Sequence, residues 1–505
     1  MNKLYKVTTN RASAVAIAEI PVVDYVDLYN DLKERMADHR YHVAHYFASE
    51  IEKGLKFYMI ILDDESGEVL ITSFVPDYYA EGLASLTAVH PQFHPFEREI
   101  HELYGVEFTH HPWLKPLRFS HNRRNKQSTM DTYPFYKIEG DDLHEVNVGP
   151  IHAGIIEPGA FRFICMGEEV LHLEIALGYQ HRGVEDEMVR NQNRLRQSVI
   201  AESVAGDTAV GHTTAYAEVI ERLAHAKISD SLYRERAIAL ELERIAMHLA
   251  DTGALATDIG FQLYQVACEA LRTVTINTTQ AWCGNRFGKS MIRPLGSNHP
   301  LTEAKIETIR KNVTDVRRRY NEVREDILEA PTLLSRFEQC GLVPKAEMYR
   351  IGGVGMAARS SGAVRDIRTT HPWGHYAKNI KHEPITHHDG DVMSRLMTRM
   401  DEVLQSADYV LEMLDGYKPQ SDIALPNYEP TLAKESLSFA LVEGWRGEIC
   451  HVALTNGEGE ITKYKIKDPS VHNWLGLAIA VRSEGISDFP INNKSFNLSY
   501  CGHDL

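Results

Sequence analysis

Residues 1–120 follow the pattern of a small α/β domain. Val23, Tyr25, Leu28, Leu32 and Met36 recur at close to helical spacing and predict an early helix. "LKFYMIILDD" and "EVLITSFVPD" are apolar runs separated by "ESG", which predicts two strands joined by a turn. "YYAEGLASLTAVHPQFHPFEREIHELYGVEF" predicts a helix, a short loop and a second helix stopped by Gly105. Residues 121–145 are polar, basic at the start and acidic at the end, with little apolar periodicity. That composition predicts a linker whose aromatic centre, Tyr133–Tyr136, docks on a neighbouring surface.

The pattern changes at Val146. "GPIHAGIIEPGAFRFICMGEEVLHLEIALGYQHRGVE" predicts short strands joined by turns, and a long helical section succeeds it. Its clearest helix carries an apolar stripe of Ile238, Leu242, Ile245 and Leu249, with Glu241, Arg244 and His248 together on one side as a buried network. Further helices are expected over 260–280, 302–330 and 388–414, loops over 350–387, and strands around the Asn-Gly turn in "GEICHVALTNGEGEITKYKIKDP". The fold class is α+β. A small α/β domain (1–120) and a linker (121–145) precede a largely helical domain with peripheral strands (146–505).

Composition narrows the function. With 54 basic against 70 acidic residues, a net charge of −16 disfavours general nucleic-acid binding. The longest apolar runs, Phe57–Leu62 and Trp474–Val481, are too short to span a bilayer, and the opening "MNKLYKVTTNRAS" lacks a hydrophobic signal core. Cys165, Cys268, Cys283, Cys340, Cys450 and Cys501 form no Cys-x-x-Cys pair. An iron–sulfur cluster or structural zinc in this chain is therefore not expected. Neither Gly-x-Gly-x-x-Gly nor a Gly-Lys-Ser/Thr phosphate loop occurs, so no nucleotide site is expected either.

"HPFEREIHELYGVEF" resembles the small hydrophilic subunit of respiratory NADH dehydrogenase. "GPIHAGIIEPGAFRF", "GYQHRGVE", "ELERIAMHL", "GNRFG", "GGVGMAARSSG" and "VRDIR", in that order, resemble its quinone-side subunit and the large subunit of membrane-bound [NiFe] hydrogenases. The fused arrangement is similar to the large subunit of formate hydrogenlyase and related complexes.

The resemblance implies two cysteine pairs that bind nickel and iron. "ESVAGDTAVGHTTAYAEV" aligns with the first pair and places Ala205 and Thr208 at the ligand positions; the second pair falls near Ser499 and Gly502. Alanine has no donor atom and a threonine hydroxyl is a poor substitute for a soft thiolate. Cys501 is out of register, and with His503 and Asp504 offers at most an adventitious metal contact. For quinone use, His152 matches the family histidine, but the family tyrosine position falls on Gly206. The resemblance places His181, Arg182 and Glu185 on the cavity wall, with Glu185 either a proton-transfer group or an ion-pair partner. Asp207 is either a relay carboxylate or a cap of the following helix. His212 either faces the cavity or is a hydrogen-bonded core histidine. Arg359, Arg365, Asp366 and Arg368 either hold loops around the cavity or face a partner, and Arg98 and Glu99 support the junction of the two domains.

These residues imply a subunit without its own redox metal. The resemblance implies an iron–sulfur small subunit, a ferredoxin-like subunit and membrane-arm subunits as partners, and a peripheral position on the cytoplasmic side of a membrane. Such a protein would couple electron flow to proton or sodium movement. Quinone reduction through His152 and a purely structural scaffold are the alternatives.

Overall fold

A computed structural model describes residues 4–76, 82–419 and 422–505. β1 (Lys6–Thr9) is followed by β2 (Val15–Ala16), and α1 (Tyr25–Arg35) starts at Asp24, whose carboxylate accepts from the Val26 and Asp27 amides. β3 (Tyr41–Ile51), β4 (Gly54–Asp63) and β5 (Glu68–Phe74) complete an antiparallel sheet in the order β1-β5-β4-β3. Its central strand explains the unbroken apolar run. Phe57, Met59 and Ile61 point into one core with Leu28 and Leu32 of α1, while Tyr58, Ile60 and Leu62 enter the core of the helical body. The first sheet is thus an inner layer shared by both parts of the chain.

The first helix expected in "YYAEGLASLTAVH" is corrected. Asp77–Glu81 lie outside the described residues, and the rest forms β6 (Leu83–Ala84), parallel to β7 (Phe108–Thr109), followed by turns. The cause is α2 (His94–Tyr104), ended by Gly105 at φ 72°. Its buried Glu97 takes the Ser85 and Thr87 hydroxyls and the Leu86 and Thr87 amides, which holds the segment in a turn. The other helix and strand expectations of residues 1–76 match the observed elements; Met1–Lys3 also lie outside the described residues.

The polar stretch after residue 120 is ordered. Tyr133 is buried beside Phe119 and Ala176, and the Tyr136 amide donates to Glu174, so the aromatic centre docks as expected. Its last residues enter β8 (Leu143–Val148), which pairs with β9 (Ala160–Met166) and through it with β10 (Glu169–Ala176). The helical body begins with α3 (Val184–Arg190), α4 (Arg194–Ala201) and α5 (Ala209–Leu223), every residue of α5 being buried. α6 (Asp230–Asp258) packs on α7 (Gln262–Cys283), and α8 (Glu303–Leu328) packs against α7. Short helices α9 (Pro331–Phe337), α10 (Lys345–Arg350), α11 (Gly355–Arg359) and α12 (Ile367–Thr370) lead to α13 (Val392–Leu414), which lies against α6 and α8.

β11 (Ser436–Glu443), β12 (Glu448–Thr455) and β13 (Ile461–Lys467) form the last sheet, on which α5 packs. Its other edge is β2, so the N-terminal segment supplies a strand to the C-terminal sheet. α14 (Ser470–Ala480), α15 (Phe489–Phe496) and α16 (Tyr500–Asp504) close the chain. Among the described residues, no helix is long and apolar enough to cross a membrane.

Candidate functional site

Residues 202–212 and 497–504 meet at one polar centre. Arg182 ties them: its guanidinium donates to the Ser203 carbonyl at 2.5 Å and to the Val204 and Cys501 carbonyls at 3.0 Å. Arg446, on the turn between β11 and β12, is a second tie. It binds both Asp207 carboxylate oxygens at 2.7 Å, reaches Thr208 Oγ1 at 3.3 Å, and donates to the Asn497 carbonyl at 2.6 Å. Its guanidinium also lies 3.9 Å over the Trp445 ring, and Trp445 Nε1 donates to the Asp207 carbonyl. Burial opposes the charge on Arg446, but Asp207 overcomes this and holds it well above the usual arginine range.

The Gly-rich loop has a mechanical reason to exist. Gly355 sits at φ +66°, and a Cβ there would lie 2.0 Å from the Arg446 carbonyl oxygen and 2.3 Å from Gly447 Cα. Only a backbone without side chains lets α11 and the β11–β12 turn approach this closely.

Asp207 does not cap α5. Its carboxylate is committed to Arg446, and the Val210 and Gly211 amides donate instead to Glu243 of α6 at 2.8 and 3.1 Å. Desolvation, reinforced by Asp207, pushes the Glu243 carboxyl up to about 8 against these two bonds. Below α5's first turn, His212 bonds His451 through Nδ1 and Asp468 through Nε2, both at 3.0 Å, and His451 continues to the Tyr464 hydroxyl at 2.9 Å. All four side chains are buried, and this is the geometry of a hydrogen-bonded core histidine.

The second expected ligand pair faces the same centre. Ser499 is the N-cap of α16, accepting the Gly502 amide at 2.9 Å. A Cβ on Gly502 would lie 2.7 Å from Asp468 Oδ2, so Asp468 fills the space that a side chain at 502 would need. Cys501, His503 and Asp504 do not converge. Asp504 accepts the Gly178 and Gln180 amides, His503 Nδ1 bonds Asp504 Oδ1, and Cys501 Sγ faces Ser499. Ala205, Thr208, Ser499 and Gly502 provide no thiolate. Arg446 holds the first pair's segment and Asp468 blocks the second, so these residues do not fit a nickel–iron centre.

The remaining candidates lie apart. His152 Nε2 donates to the Gly159 carbonyl at 2.9 Å, ordering an exposed loop that carries Ile151 and Ile155 outward. Glu185 binds Lys465 at 2.5 Å and the Ile466 amide at 2.8 Å. Lys465 bonds Glu99 at 2.9 Å, and Glu99 pairs with Arg118, which donates to the His503 carbonyl, so Glu99 stands at the junction. Arg98 instead donates to the Lys115 and Pro116 carbonyls within the N-terminal part. Glu241, Arg244, His248, Arg359, Asp366 and Arg368 join Glu402 and Glu443 in one buried ion-pair network that pins the 350–387 loops to α6 and α13. Arg365 reaches back to Asp64.

Sequence reasoning missed Arg446, Asp468, Glu243 and Lys465. Two left a faint signal: Arg446 in the tight "GWRG" turn, and Lys465 at an inward position of a strand.

Both parts of the chain are similar to subunits of the NADH dehydrogenase and hydrogenase class. Residues 12–134 match the 30 kDa subunit of respiratory-chain NADH dehydrogenase and residues 258–504 match its 49 kDa subunit. Both matches lie in one polypeptide here. It is 26% identical to formate hydrogenlyase subunit 5 of Escherichia coli K12 over 91% of this chain and 81% of that protein. It is 24% identical to the C/D fusion of NADH-quinone oxidoreductase from Phocaeicola vulgatus over 70% of this chain and 73% of that one. A chain of the archaeal membrane-bound sulfane sulfur reductase, a respiratory membrane complex, shares the fold. Its TM-score is 0.67 at 18% identity, over 73% of this chain and 100% of that chain.

Proposed function

We propose that the chain is a hydrogenase-type subunit that holds no nickel–iron centre and works inside a membrane-associated, ion-translocating oxidoreductase complex. In it, the chain links an iron–sulfur partner to the membrane arm. The relatives' names support the class of complex. The observation that carries the reading is the polar centre itself: Arg446 bound to Asp207 and Thr208, and Asp468 lying where a side chain at 502 would stand. Such a centre is a set of fixed charges. It responds to a neighbouring redox event through electrostatics and cannot take an electron itself. For quinone reduction through His152, the Gly159 carbonyl occupies Nε2 and leaves Nδ1 as the ring nitrogen that could meet the headgroup.

The test is metal analysis of the purified complex together with hydrogen assays. Nickel far below one atom per chain, with no hydrogen evolution or uptake, is expected; stoichiometric nickel sinks the proposal. Asp207→Asn separates coupling from scaffolding. With assembly held constant, ion transport per electron should fall, whereas unchanged transport removes Asp207 from the coupling path.

A further inference from the structure

A cavity of about 470 Å³, lined in part by His503 of the C-terminal segment, lies where the N-terminal part meets the large one. One wall is a single face of α14, Val471, Trp474, Leu475 and Ala478, with Arg482 just beyond the end of the helix. These residues recur at three- and four-residue steps, with only the last charged. The opposite walls come from the Pro112–Leu117 loop, the start of α2 and β10. Sites of this size with apolar walls and a few polar groups, at the boundary between two parts of a fold, suit small organic ligands.

Two independent observations concern the polar groups. His94, at the start of α2, is 6% exposed, and among the described residues neither ring nitrogen has a hydrogen-bond partner; Trp474 Nε1 is likewise buried and unpartnered there. Both residues line the cavity. Buried polar atoms are rarely left unpaired, so two along one cavity call for a polar occupant.

The charge pattern supplies the sign. Lys115 is neutralised by Glu174 at 2.5 Å. Arg98 is buried and bonded to two backbone carbonyls, and Arg482 is exposed at the rim; among the described residues neither forms an ion pair. The cavity therefore carries surplus positive charge in a chain of net charge −16. Burial and the nearby Arg98 keep His94 neutral, so it offers one donor and one acceptor.

We propose that this cavity binds an amphipathic organic monoanion, with a ring-bearing or acyl body against the α14 face and its carboxylate at Arg98, entering past Arg482. This inference is independent of the proposed function. It is tested by calorimetric titration of the full chain with 2-naphthoate, and with neutral 2-naphthamide as the uncharged match. The expected result is one saturable naphthoate site, with naphthamide at least about fivefold weaker. Arg482→Gln should weaken naphthoate about threefold. Ala478→Phe, which fills the cavity from α14, should abolish binding while circular dichroism and melting temperature stay unchanged. His94→Phe removes the unpaired imidazole without removing apolar volume, and should lower affinity with no loss of stability. A flat naphthoate isotherm overturns the proposal, as does equal affinity for naphthamide or undiminished binding by a folded Ala478→Phe.

Discussion

Asp207 and Glu243 show how two carboxylates near one helix start divide the work. Asp207 keeps 36% of its side chain exposed, but its oxygens are fixed on Arg446. Glu243 is buried and faces two amides, Asp207 and Arg244, with burial pushing its carboxyl up to about 8. A raised carboxyl binds its proton more tightly in the folded than in the unfolded chain. Its stabilising contribution is complete below about pH 4.5 and is lost as pH rises to about 8. Glu243→Gln removes that dependence. The unfolding free energy of the variant relative to the parent should therefore rise between pH 5 and 8, with a slope of at most about 1.4 kcal/mol per pH unit. A difference that is flat, or that falls with pH, means Glu243 is already ionised. The sequence made Ala205, Thr208 and Gly206 conspicuous because their chemistry is wrong for known ligands. It could not reveal Arg446 or Asp468, which reach the same centre from segments more than 200 residues later.

At the scale of elements, the long periodic segments were legible. α6, α7, α8 and α13 lie where apolar spacing puts them; α7 and α8 bury one stripe each, whereas α6 is buried all round from Glu235 to Leu249. The error around residues 82–90 is instructive. Apolar spacing there suggested a helix, but a buried carboxylate on the next helix offered its amides better partners. β11 also escaped notice, because its eight residues are buried on both faces and show no alternation. The contact of Gly355 with the Arg446–Gly447 turn yields a sharp expectation. Gly355→Ala places a Cβ into backbone at positive φ and should cost roughly 2–4 kcal/mol, read by thermal unfolding. An unchanged melting temperature would mean the turn can retreat.

Across the whole molecule the two parts are interlocked. Asn10 donates to the His371 and Leu441 carbonyls, His42 bonds Glu448, and Lys465 lies between Glu99 and Glu185. The first sheet contributes to both cores. None of these long-range pairs was readable from periodicity, which reports only on neighbours along the chain. Lys465→Met removes the shared cation and leaves two carboxylates facing each other. We expect a loss of about 3–5 kcal/mol, measured by denaturant unfolding, with amide exchange rising in both parts at once. Faster exchange confined to one part would show that they unfold separately.

The pairing of β2 with β11 also carries a consequence for synthesis. Ala16 and Ser436 are neighbours in one sheet but more than 400 residues apart along the chain. At about 5–20 residues per second, a ribosome spends roughly 20–80 s between making the two. Throughout that interval the sheet face carrying Tyr58, Ile60 and Leu62 waits for the helices and strands that cover it in the finished molecule.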